Sequence, residues 1–226
     1  KAGKIIIGTG PGYYPFEMMD TEGNFIGYDM DLGRAIGKSL GVKVEFRHFE
    51  FYSMIPALQT GEIDMIISGM TIRGDRALGA SFSNPYYATG QVIMVPSNNT
   101  TTKSWKELDK RGKKIAVSQG TTGALLAKNI FKEAEILDFP SFPEAASAMI
   151  GSYADGVVYD EPAIRMYELM HQGAVRGIYN LISKENLGIA VRLNDYATIH
   201  WLNSFLYEYV DSPDEQASRA KWFEST

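Results

Sequence analysis

Short apolar runs alternate along this chain with stretches in which apolar residues recur every three or four positions, a pattern that predicts an α/β protein. Ile5-Ile6-Ile7, Val42 to Phe46 and Asp64 to Ser68 read as strands. A helix is predicted from about Asp29, because Tyr28, Leu32, Ile36 and Leu40 fall at four-residue spacing and Gly41 supplies the stop. A second helix carries Met54, Ala57 and Leu58, with Ser53 as its expected cap. Strand, helix, strand, helix, strand implies right-handed crossovers and a parallel sheet.

After Tyr87 the pattern breaks. Ala88 to Pro96 reads as an extended segment leaving the first unit, and Asn98 to Thr102 as a polar loop. Asn98-Asn99-Thr100 fits a glycosylation sequon, although a plain turn is the better reading. A short helix is expected from Trp105 to Leu108. The alternation then restarts with strand Ile115–Ser118, helix Thr122–Ile130, strand Ile136–Phe139, helix Pro143–Ile150, strand Gly156–Tyr159 and helix Glu161–Met170. Leu187 to Val191 reads as a strand returning to the first sheet, followed by helices Ala197–Val210 and Pro213–Phe223. The expected organisation is a discontinuous first lobe, 1–87 with 188–226, and a second lobe, 92–183. A two-segment hinge, 88–91 and 184–187, joins them.

Ser68-Gly69-Met70-Thr71-Ile72-Arg73-Gly74-Asp75-Arg76 follows a buried strand and puts a cation beside its end. A guanidinium there can fork onto a carboxylate, with the Thr71 hydroxyl and nearby backbone taking further hydrogen bonds. For Arg76 alone the plainer alternative is a surface residue on a turn. Gly-Met-Thr-Ile, Asp-Arg and Phe82-Ser83-Asn84-Pro85-Tyr86-Tyr87 together resemble the signature of polar amino-acid-binding proteins that serve ABC importers. Asn24 to Leu40 and Ile55 to Asp64 match as well, so the resemblance covers nearly the whole chain. It implies the two-lobed periplasmic-binding-protein type II fold, with each lobe a mostly parallel sheet flanked by helices. It also implies capture of a free L-amino acid in the interlobe cleft by hinge closure and delivery to a membrane permease.

The same resemblance implies site residues. Arg76 and the N–H of Thr122 would take the α-carboxylate, while Asp160, the Thr71 hydroxyl and the Gly69 carbonyl would hold the α-ammonium. Tyr13 and Phe51 stand where the family sandwiches the ligand's side chain, and Tyr14, Tyr52, Ser118, Gln119 and Tyr159 are candidates for the rest of that pocket. Read without the resemblance, Asp160 is equally a helix cap before Glu161-Pro162, and each aromatic is ordinary core. Gly10 departs from the family, because relatives that bind glutamine or basic amino acids often carry aspartate there. Glu17 is either a substitute anchor or a solvated strand-end residue. No second pocket cation is evident, which disfavours aspartate and glutamate as ligands, whereas neutral polar, aromatic and basic amino acids remain open.

Composition narrows the classes further. The 226 residues contain no cysteine, which removes disulfides, thiolate metal sites and thiol nucleophiles. A net charge of −5 argues against a nucleic-acid partner. No apolar run approaches the roughly 18 residues of a membrane span. The first residues lead directly into a strand, which fits a mature export product in the periplasm or anchored at the cell surface, and fits a cytosolic protein equally. A monomer is expected, and no cofactor is implied.

His48, His171 and His200 are scattered, and no hydrolase or metalloprotease motif appears. Gly120-Thr121-Thr122-Gly123 lacks the ending of a phosphate-binding loop. A non-enzyme is therefore expected. Two alternatives stay open on the same fold: a cyclohexadienyl dehydratase-like enzyme with Glu17 or Glu161 as proton donor, and an extracytoplasmic amino-acid sensor domain.

Overall fold

The computed structural model describes residues 3–224. The chain opens with β1 (Lys4–Thr9), the short β2 (Met18–Met19) and β3 (Phe25–Ile26), α1 (Tyr28–Leu40), β4 (Lys43–His48), α2 (Met54–Thr60) and β5 (Met65–Ile66). β6 (Ala80–Phe82), β7 (Tyr87–Thr89) and β8 (Gln91–Pro96) follow. Next come β9 (Lys114–Ser118), α3 (Thr122–Ile130), β10 (Glu135–Phe139), α4 (Phe142–Ile150), β11 (Gly156–Asp160), α5 (Glu161–Met170) and β12 (Val175–Ile178). β13 (Glu185–Leu187), β14 (Ala190–Arg192), α6 (Tyr196–Tyr209) and α7 (Pro213–Arg219) complete the chain.

Two compact units result: residues 1–88 with 186–226, and residues 89–185. The first is built on a sheet of order β4-β1-β5-β14-β6. β1 is parallel to β4 and β5, as the crossovers through α1 and α2 require, whereas β14 is antiparallel to β5 and β6. The second unit repeats the design with order β10-β9-β11-β8-β12. β9 is parallel to β10 and β11, and β8 is antiparallel to β11 and β12. Both sheets are therefore mixed. The crossover logic accounts for the parallel strands, and the antiparallel ones enter through segments with no helix of the βαβ kind before them.

The helix ends follow local chemistry. α1 and α2 stop at Gly41 and Gly61, both left-handed, with their amides returned to the last turn. Thr121 and Ser141 cap α3 and α4 through side-chain oxygens. Ser53 does not cap α2, because its backbone is already helical at the end of a 3-10 turn, Phe51–Ser53, that runs into the helix; its hydroxyl donates to the Glu50 carbonyl at 2.7 Å. The predicted strand 187–191 is interrupted by Gly188-Ile189, and α7 gives way at Ala220 to a π-helical turn through Glu224. Each unit has its own core. Met54, Leu58, Ile63, Ile66 and Met70 pack under the first sheet, and Ile93, Val95, Ile115, Val117 and Val158 fill the second.

Candidate functional site

In sheets with a parallel core, exposed backbone and ligands gather beyond the carboxyl ends of the strands. In the first unit these ends belong to β1, β4 and β5, and they bring Gly10–Tyr14, Phe51 and Gly69–Arg76 together. Asp75 caps a 3-10 turn, Arg76–Leu78, by accepting from the Arg76 amide at 3.0 Å. Arg73 is the residue that pairs with the Asp75 carboxylate, at 2.9 Å. The Arg76 guanidinium instead turns back, donates from Nη1 to the Thr71 carbonyl at 2.9 Å and lies 5.1 Å from the Phe51 ring centroid. It is half-buried, held by a carbonyl and an aromatic face, which leaves its forked geometry oriented.

The floor of this half-site is unusually acidic. Glu17 is 1% exposed and accepts from the Ser68 hydroxyl at 2.7 Å, from the Gly10 amide and from the Thr9 hydroxyl. The reading of Glu17 as a solvated residue is thus corrected, since it is an interior group whose oxygens are taken by the chain itself. Asp29, on the first turn of α1, is fully buried and accepts from the Gly69 amide at 2.7 Å and the Tyr86 hydroxyl at 3.0 Å. Burial raises the Asp29 carboxyl to about 7 against the opposing pull of those two donors. Burial, reinforced by the nearby Asp29 charge, also raises Glu17 well above the usual carboxylate range.

Tyr13 is buried and stacked on Phe16 at 4.7 Å, with the planes 10° apart. Tyr14 is half-buried and Tyr52 is exposed. Thr71 is buried and bridged to Leu187. A Cβ on Gly10 would meet the Phe49 carbonyl at 3.0 Å and Met54 Cε at 3.1 Å, so the missing aspartate has a local cause: the strand exit is tightly packed there.

In the second unit the strand ends of β9 and β11 lead into α3 and α5. Because the Thr121 side chain satisfies only the Ala124 amide, the amides that open α3, Thr122's among them, have no earlier turn to bond within the helix. Asp160 stands at the cap position of α5, yet its side chain makes no capping hydrogen bond. Its carboxylate is held by Gln91 Nε2 at 3.0 Å, and the same amide reaches Thr122 Oγ1 at 3.2 Å. Asp160 and Thr122 are therefore tied into one cluster. Ser118 is buried nearby in sequence, Gln119 is exposed, and Tyr159 stacks on Phe142 at 4.3 Å.

Three groups escaped sequence reasoning: Asp29, Ser68 and Gln91. Asp29 looked like an ordinary acid in a first helical turn, and Gln91 sat in a run with no periodic signal. Among the described residues, no group of three His, Cys, Asp or Glu is arranged for a metal, and no helix is long and apolar enough to cross a membrane.

Comparison with known proteins gives the family. The family model of bacterial extracellular solute-binding proteins, family 3, matches residues 5–225. A Neisseria gonorrhoeae protein named "Probable histidine-binding protein" is 32% identical over 226 residues, covering 98% of this chain and 84% of its own. A structure from Wolinella succinogenes DSM 1740, described as a "putative binding component of ABC transporter" complexed with lysine, superposes with a TM-score of 0.94 at 33% identity. That match covers 100% of this chain and 98% of the other. The ancestral amino acid-binding protein AncCDT-1, a precursor of cyclohexadienyl dehydratase, gives 0.92 at 36% identity over 98% of this chain and 96% of its own. With a two-unit α/β architecture and a family match over nearly its whole length, this chain belongs to the bacterial extracellular solute-binding proteins, family 3.

Proposed function

We propose that this protein captures a free L-amino acid with a basic side chain outside the cytoplasmic membrane and hands it to an ABC importer. The observation that carries this reading is the division of charge. The first unit presents an oriented guanidinium, Arg76, beside Phe51, and the second presents a carboxylate, Asp160, beside the opening amides of α3. An α-amino acid carries the complementary pair on one carbon. Arg76 and the Thr122 amide take its carboxylate, and Asp160, with Thr71 and Gly69, takes its ammonium. Because neither unit alone satisfies both charges, ligand binding favours the state in which both are engaged, and this closes the hinge.

The side-chain class rests on two supports. One relative is named as a probable histidine-binding protein, and one solved neighbour is complexed with lysine. In this chain, Phe51 offers an aromatic surface beside Arg76 and the sequence shows no second pocket cation, which suits a cationic tail better than an acidic one. The family's extracellular character supports a periplasmic or surface location.

The dehydratase reading needs an accessible acid. Glu17 is sealed behind Thr9, Gly10 and Ser68, and Glu161 is paired with Arg165 at 2.5 Å, so both carboxyls are engaged by the chain's own groups. A thermal-shift screen across the twenty amino acids tests the proposal. A basic amino acid at 100 times its Kd should stabilise the protein by about 2.7 kcal/mol. Stabilisation by none of them, or turnover of prephenate or arogenate, would remove it.

A further inference from the structure

Gln91 is completely buried, and its hydrogen bonds tie the candidate ligand groups to the segments by which the chain enters and leaves the second unit. Its amide donates to Ser183 Oγ at 2.9 Å, and its carbonyl accepts from the Ile182 amide at 2.8 Å. The neighbouring Gly90 carbonyl accepts from the Glu161 amide at 3.0 Å, which sets the strand beside the start of α5. With the backbone fixed, both side-chain donors are spent on Asp160 Oδ1 and Thr122 Oγ1. The Thr122 hydroxyl then donates to Glu185 Oε2 at 2.7 Å, and Glu185 Oε1 accepts from Ser183 Oγ at 2.8 Å, closing a ring through both segments. The orientation of the amide is decided by chemistry, since turning it over would set an oxygen against the Asp160 carboxylate.

The remaining atom makes this arrangement informative. Gln91 Oε1 is buried with no hydrogen-bond partner among the described residues. A Cβ on Gly123 would lie 2.7 Å from it, so the glycine at the start of α3 makes room for the amide. An apolar side chain would fill the same interior without an orphaned acceptor, so packing alone gives no reason for a glutamine here. What the glutamine supplies is two aimed donors. The Asp160 side chain makes no capping bond to α5, and Gln91 Nε2 donates to its carboxylate.

We propose that Gln91 is a positioning residue for the amine end of the ligand, orienting Asp160 to receive the α-ammonium. The inference rests on the amino-acid reading above and extends it to a residue outside the ligand-contacting set. With Gln91 occupying the Thr122 hydroxyl as donor and Glu185 occupying it as acceptor, Thr122 is left to offer the ligand its backbone N–H.

The test is calorimetric titration of the intact protein with L-lysine and L-histidine, each beside the same molecule lacking its α-amino group. Gln91→Met keeps the volume and removes the donors. It should weaken binding of the amino acids about tenfold while leaving the deaminated molecules within about twofold of wild type. In an Asp160→Asn background the same change should cost almost nothing further, because the two residues act through one group. If Gln91→Met does not fold, as judged by its unliganded thermal midpoint, Gln91→Asn withdraws the amide by one methylene and gives the same readout. Equal losses for aminated and deaminated molecules, or additive losses with Asp160→Asn, would overturn the inference and leave the amino-acid reading standing. A wild-type protein that binds neither amino acid would remove that reading, and this inference with it.

Discussion

Gly69 approaches the Tyr13 ring so closely that a Cβ at position 69 would stand 1.9 Å from its Cε1. Gly69 also has φ of +50°, and its amide is bound to Asp29. Three constraints meet at one residue: a left-handed backbone, an aromatic ring against its face and a buried carboxylate below. Gly69→Ala should therefore destabilise the protein by about 3 kcal/mol, combining the left-handed penalty with overpacking against the ring. Chemical denaturation would measure the loss. Because Tyr13 must shift, affinity for the amino acid should fall with it.

Arg76→Ala should reduce amino-acid affinity on the order of 100-fold or more, since it removes charge-assisted hydrogen bonds worth about 1.5–3 kcal/mol each. The thermal midpoint without ligand should fall only slightly, because the half-buried Arg76 gives up its Thr71 carbonyl bond and its Phe51 contact but leaves no cavity in the core. Arg76→Lys should recover little, because an ammonium lacks the planar fork that the Thr71 carbonyl and the Phe51 ring orient. Calorimetry on both variants, with unfolding curves alongside, separates loss of the clamp from loss of the fold.

The Asp29 carboxyl should make the folded state lose stability as pH rises from about 4 to about 7, and Glu17, raised in the same direction, adds to that trend. Burial raises both groups, so in this window the folded protein holds protons that the unfolded chain has released. Stability that depends on those protons is fully present below the unfolded pKa and is lost as pH climbs through the folded one. Asp29→Asn should flatten this slope and raise stability at pH 8 relative to wild type. Thermal unfolding of both proteins from pH 5 to pH 8 gives the answer directly. Below about pH 4 the opposite trend takes over, as Asp20, Asp75 and Asp109, all held below their usual range by hydrogen bonds, become protonated.

Phe16→Ala should cost about 3–5 kcal/mol. Phe16 is fully buried, stacks on Tyr13 and meets Tyr28, Tyr87 and Phe223 edge-on, all within the first unit. Because Tyr13 rests on this ring, the variant should also bind amino acids more weakly at a temperature where it remains folded. Equal affinity in the folded variant would show that Tyr13 is held without it.

Much of the secondary structure was legible because the signals were local. Four-residue spacing and Gly41 gave α1, and α3 and α5 run over the expected Thr122–Ile130 and Glu161–Met170. Ser53 misled because a cap needs extended backbone as well as a hydroxyl, and the 3-10 turn over Phe51–Ser53 already puts Ser53 in helical backbone. The mixed character of each sheet was hidden because β8, β12 and β14 pair with partners set by tertiary closure rather than by their own sequence. At the candidate site, Arg76 and Asp160 were singled out through the family resemblance. Asp29 and Gln91 were not, since their meaning lies in partners 40 and 69 residues away.

The strand order of the first sheet carries a consequence for how the polypeptide is made. β5 and β6 are neighbours of β14, so that sheet lacks a middle strand until residues 190–192 have emerged from the ribosome. The second unit, by contrast, is a single uninterrupted stretch, 89–185, and has every strand of its sheet available earlier. Synthesis from the amino end therefore reverses the numbering. The later unit can mature first, while the opening 88 residues wait, with Met65-Ile66 unpaired along one edge, for the segment from Asn186 onward to return.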